Sequence, residues 1–137
     1  MAKDLAEAGE RLLSLADELT RHEGFSEVAA SLAEGHGGTL GGVWGSSRAL
    51  VAAALERLCG ASLLIVLPHA GEIDLFCDDL SLFTKAAIEP FPAWESDAGE
   101  RVLHDEIFGQ RLRVLKRLAG GAADAPRAGH RLLASGS

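Results

Sequence analysis

Apolar residues at Leu5, Leu12, Leu15, Ala16 and Leu19 fall within roughly a 100° arc of a helical wheel, while Glu7, Glu10, Asp17 and Glu18 point elsewhere. That spacing predicts an amphipathic helix ending between Thr20 and Gly24. A shorter helix is expected behind it, with Ser26 as N-cap and Val28, Ala29 and Leu32 as its apolar side. Residues 34–38 then break the chain.

From Thr39 the pattern changes to alternating strands and helices. Thr39 to Trp44 reads as a short strand interrupted by Gly41 and Gly42, and Ser46 to Cys59 as a helix that is apolar nearly all round and stopped by Gly60. Ser62 to Leu67 is the clearest strand, because Leu63, Leu64, Ile65, Val66 and Leu67 run unbroken up to Pro68. Continuous apolarity suits a strand covered on both faces, as in a parallel sheet between helices. A helix over 70–83, a strand over 86–91, a helix over 100–118 and a last strand over 130–134 complete the series. In the late helix Leu103, Ile107, Phe108, Leu112, Val114, Leu115 and Leu118 fill one half of the wheel, and Asp105, Glu106, Gln110, Arg113, Lys116 and Arg117 the other.

These elements predict an α/β fold: an open, mostly parallel sheet with flanking helices. Residues 1–36 are expected to form an N-terminal helical extension and residues 37–137 a partial α/β lobe. Nothing follows the last strand to cover its edge, so the lobe reads as incomplete at its C-terminus.

Composition narrows the functional classes. The 137 residues carry a formal net charge of −7, with 47% hydrophobic and 24% charged residues. Such a balance excludes a nucleic-acid surface spread over the whole domain, which would need clustered Lys and Arg. The N-terminus lacks the apolar core of a signal peptide, and the run Leu63 to Leu67 is far too short to span a bilayer. The expectation is a cytoplasmic protein with no membrane partner. Cys59 and Cys77 have no ligand partners at zinc-site spacing, so they are read as small buried apolar residues and no metal is expected.

The most informative stretch is GVWGSSRA, Gly42 to Ala49, placed where a phosphate-binding loop of pattern G-x-x-x-x-G-K-S/T would lie between a strand and its helix. Gly42 fits the first position, and Gly45 lies inside the loop. Ser47 stands where the second glycine would be, Arg48 where the lysine would be, and Ala49 where the hydroxyl residue would be. A side chain at Ser47 intrudes where the backbone must approach the phosphates. The planar fork of Arg48 does not replace a compact ammonium. Ala49 has no hydroxyl for Mg²⁺, and no carboxylate ends the Ile65 strand. The loop therefore reads as a relic, with no catalytic residue and no bound cofactor. The plainer reading is a tight turn between strand and helix.

A second segment adds to this. FPAWES, Phe91 to Ser96, precedes EIFGQRLRVLKRL, Glu106 to Leu118. With GVWGSSRALVAAAL, Gly42 to Leu55, and LLIVLPHAGEIDLFCDDLSLF, Leu63 to Phe83, these segments resemble the N-terminal module of transcription-repair coupling factors. The matching positions are Phe91, Trp94 and Glu95, then Arg111, Leu112, Leu115 and Leu118. The likeness covers roughly residues 32–134 and departs from the family at Ser96 to Gly99.

The resemblance implies a degenerate P-loop lobe similar to the first domain of UvrB. It implies a scaffold role within a DNA-repair translocase that removes stalled RNA polymerase and recruits the excision-repair machinery. The partners implied are the rest of the coupling factor and, for the full-length family, UvrA, RNA polymerase and double-stranded DNA. ATP and Mg²⁺ belong to that family's motor, whose parts are not in this sequence. The alternatives are a module that holds ATP without hydrolysing it, or a truncated gene product without an independent role. Among single residues, Trp94 is expected to pack as a buried indole, with a contact to nucleic acid as the sharper reading. His104 and Arg111 are expected at the margin of the late helix, with Arg111 snorkelling or pairing with Glu95 or another acid. Glu72, Asp78 and Asp79 are expected on a solvated face.

Overall fold

A computed structural model describes residues 1–59, 62–93, 105–120 and 131–136 of the chain. Helix α1 (Ala2–Thr20) and helix α2 (Glu23–Ala33) form where the apolar spacing places them. The start of α2 differs from expectation. His22, in extended conformation, is its N-cap, and Ser26 lies one turn inside with its hydroxyl donating to the Glu23 carbonyl at 2.8 Å. Starting at Glu23 puts Phe25 and Ala29 four residues apart on one face, and both are buried.

The expected strand Thr39 to Trp44 does not form. Residues 37–44 have no regular structure, and Gly42 sits at φ 75°, in the left-handed region that glycine enters freely. Among the described residues no strand pairs with this segment, and of its residues Leu40 is the one packed against the described core, while Trp44 is 80% exposed.

Helix α3 (Ser47–Cys59) is the hub of the molecule, touching α1, α2 and α4 (Ile73–Phe83). Its Ala49, Ala52, Ala53 and Ala54 are all buried. Side chains this small let neighbouring helices come close, and the bulk is supplied by Phe76, Leu80 and Phe83 of α4 and Phe25 of α2.

Strand β1 (Leu63–Leu67) leads through a single 3-10 turn, Ala70–Glu72, into α4. Strand β2 (Ala87–Phe91), helix α5 (Asp105–Gly120) and strand β3 (Arg131–Gly136) follow. β3 lies between β1 and β2 and is parallel to both, with Ala134 opposite Ile65 on one side and Pro90 on the other. Pro90, which has no amide hydrogen, sits on an edge strand, where a missing donor costs least.

The expected fold class is corrected. The chain is mostly helical, and its strands amount to three short segments rather than the framework of an open parallel sheet flanked by helices. The strand that should precede a phosphate-binding loop is absent. Leu63, Ile65 and Leu67 face the core, but Leu64 and Val66 are 65% and 64% exposed, so β1 is covered on one face rather than two. The core is instead made where α1, α3 and α4 meet. α5 lies over β2: Val114 is buried, Arg111 sits above the Phe91 ring at 4.1 Å, and Arg117 pairs with Glu89. Phe108, Leu112, Leu115 and Leu118 remain close to half exposed.

Candidate functional site

The turn that opens α3 gathers all five loop residues singled out by sequence. Gly42 and Gly45 are exposed and adopt positive φ, 75° and 53°, which reverses the chain twice before the helix starts. Ser47 closes the turn on itself. Its hydroxyl accepts the Trp44 amide at 2.8 Å and donates to the Trp44 carbonyl at 2.6 Å. The hydroxyl thus bridges both backbone groups of the residue three positions before the helix and locks the turn.

The first amides of the helix are also taken. Those of Ser47, Arg48 and Ala49 donate to the carbonyls of Trp44, Gly45 and Ser46, each at 3.1 Å. An anion at a helix N-terminus depends on such amides being free to point at it. Here three successive ones are turned inward.

Arg48, which stands in the place of the phosphate-binding lysine, is held by another partner. Its Nη1 donates to Glu72 Oε2 at 2.9 Å, and its Nε reaches the Gly45 carbonyl at 3.4 Å. Glu72 is the carboxylate that follows β1 by five residues, and the pair ties the start of α3 to the start of α4. It was expected on a solvated face and is half-buried. Ala49 is fully buried in the core, so its side chain does not face the turn at all.

The second region of interest is partly outside the described residues, where Trp94, Glu95 and His104 fall. Phe91 and Arg111 are described and brought together: besides stacking on the ring, Arg111 donates through Nη1 to the Pro92 carbonyl. Asp78 is exposed and Asp79 half-buried on α4. Cys59 and Cys77, expected to be buried, are both only partly so. The Cys77 thiol is pushed above its ordinary value, first by burial and then by the Asp74 and Asp78 carboxylates. Among the described residues no group of three or more His, Cys, Asp or Glu side chains is placed to hold a metal ion. No helix among them is long and apolar enough to cross a membrane.

Two residues of α3 were not anticipated. Arg57 bridges three elements, donating to the Leu13 carbonyl at 2.9 Å and the Phe83 carbonyl at 3.1 Å, and pairing with Asp17. Glu56 is only 7% exposed. A charged pair in the last turns of an otherwise apolar helix was the available signal, but its partners lie 26 to 44 residues away along the chain. Compared with protein-family models, with curated proteins and with solved structures, the chain gives no match.

Proposed function

We propose that this chain is a non-catalytic scaffold module of a transcription-repair coupling factor, working in the cytoplasm beside the parts that move on DNA. The observation that carries the non-catalytic half is the closed turn at α3. Its amides and the Ser47 hydroxyl are committed to the turn's own backbone, and Arg48 is committed to Glu72. A phosphate would have to displace all of these at once. The family half rests on the likeness to that family of residues 91–96 and 106–118 above all, and of residues 42–55 and 63–83 beside them. In this reading the partners are the rest of the coupling factor and, through it, UvrA, RNA polymerase and double-stranded DNA. ATP and Mg²⁺ act in the motor of the full-length protein.

Titration of the purified chain with a fluorescent ATP analogue and Mg²⁺ tests the first half: no saturable signal is expected. Micromolar binding that disappears in Arg48→Ala would replace the scaffold with a module that holds nucleotide. For the second half, the chain is expected to co-elute with the remainder of a coupling factor supplied as a separate polypeptide. Failure to co-elute, with both pieces folded, would remove the family assignment.

A further inference from the structure

Helices α4 and α5 each turn a second apolar face outward, and the two faces carry opposite charge. α4 buries Ile73, Phe76, Leu80 and Phe83 in the core. Leu75 and Leu82 point away from these and are 67% and 46% exposed. Asp78 and Asp79 stand between them, at the i, i+3, i+4 and i+7 spacing that shares one helix face. The helix holds three acids, Asp74, Asp78 and Asp79, and no base. On α5, Val114 is buried, whereas Phe108, Leu112 and Leu115, at i, i+4 and i+7, are each close to half exposed, with Lys116 beside them. Four bases, Arg111, Arg113, Lys116 and Arg117, outnumber Asp105 and Glu106 on this helix.

The two faces look to different sides of one chain. Ile88 of β2 packs on the core to which α4 belongs, while the alternate residues Glu89 and Phe91 meet Arg117 and Arg111 of α5. Successive residues of a strand point to opposite faces, so α4 and α5 lie on opposite faces of β2. Among the described residues none of Asp74, Asp78, Asp79, Arg113 and Lys116 has an ion-pair partner. Apolar side chains grouped on an exposed helix face mark a contact surface. The acids beside Leu75 and Leu82 select a partner that is both apolar and basic, and α5 is such a face.

We propose that α4 of one copy docks on α5 of a second copy, with Leu75 and Leu82 against Phe108, Leu112 and Leu115, and with Asp78 and Asp79 set against Arg113 and Lys116. A two-fold axis lets both copies make the contact at once. The net charge of −7 opposes association at long range, so the contact is weak. Sedimentation equilibrium of the full chain is expected to show an average mass that rises with concentration from 14.3 kDa toward twice that value. Reversal of either face, by Asp78→Lys with Asp79→Lys or by Arg113→Glu with Lys116→Glu, is expected to weaken self-association about tenfold or more. Thermal transitions confirm that both variants are folded. Mixed in equal amounts the two associate again, because the reversed α4 of one then meets the reversed α5 of the other. A wild-type mass that stays at the monomer's up to about 1 mM would overturn the proposal without recourse to the variants. So would self-association that either reversal leaves intact, or a mixture that stays as monomeric as each variant alone.

Discussion

Arg48 at the start of α3 and Glu72 at the end of the 3-10 turn after β1 are joined Nη1 to Oε2 at 2.9 Å, across 24 residues of chain. Both side chains are more than a third exposed, 39% and 34%, so the pair contributes little to stability once solvent screening is counted. A double-mutant cycle with Arg48→Ala and Glu72→Ala is expected to give a coupling of about 0.5 kcal/mol by urea unfolding. A coupling several times larger would mean that the pair is a structural anchor rather than a clasp on the turn.

The turn itself stabilises more than the pair that covers it. At Gly45, φ is 53° and an added Cβ would meet nothing within 4 Å, so any cost of Gly45→Ala is backbone strain alone. That cost is expected at about 1 kcal/mol, and Ser47→Ala, which removes both hydrogen bonds to Trp44, at about 1 kcal/mol as well. Chemical denaturation measures both. An unchanged midpoint in Ser47→Ala would show that the hydroxyl is dispensable to the turn.

Arg57 ties α3 to α1 and to the end of α4, and its side chain is 24% exposed. Arg57→Ala leaves Asp17 and the carbonyls of Leu13 and Phe83 without this donor. The expected loss is about 2 kcal/mol, larger than for Arg48→Ala because the contacts are better shielded. Arg57→Lys is expected to recover only part of it, since one ammonium does not match the spread of a guanidinium over three acceptors.

Leu80 and Ala53 are both fully buried and belong to the same core cluster. Leu80→Ala is expected to cost about 3 kcal/mol through the cavity it opens, and Ala53→Leu about 2 kcal/mol through overpacking of the helix hub. Thermal melts of the two variants and of the double variant distinguish a core that can repack from one that cannot: a double variant near wild-type stability would show compensation.

Cys77 provides a pH-dependent readout. Its thiol is raised above the ordinary value of 9.0 by burial and by Asp74 and Asp78. The folded state therefore holds the proton more tightly than the unfolded chain. Its contribution is intact below pH 9.0 and is lost as pH rises through the folded value. Alkylation of Cys77 at pH 8 is expected to be slower than that of an unhindered thiol, and faster in Asp74→Asn and Asp78→Asn at equal fold. Rates independent of both carboxylates would leave burial as the whole cause.

The helices were legible because helical periodicity is a local property: α1, α3 and α4 begin and end within a few residues of where apolar spacing, glycine and proline place them, and α5 ends within two residues of its expected end, its expected start at Glu100 lying outside the described residues. The change of side-chain chemistry at Ser47, Arg48 and Ala49 was equally legible, since it depends on residue identity alone. Tertiary structure decided the rest. Thr39 to Trp44 had the composition of a strand, but a strand is stabilised by a neighbour, and among the described residues none pairs with it. The apolar run of β1 looked buried on both faces, yet composition does not specify cover, and Leu64 and Val66 stand open. That Arg48 meets Glu72, that Arg57 meets Asp17, and that Glu56 lies among the buried residues were all set by the packing of α1 and α4 on α3. These contacts join residues 24 to 44 positions apart, beyond the reach of any local pattern.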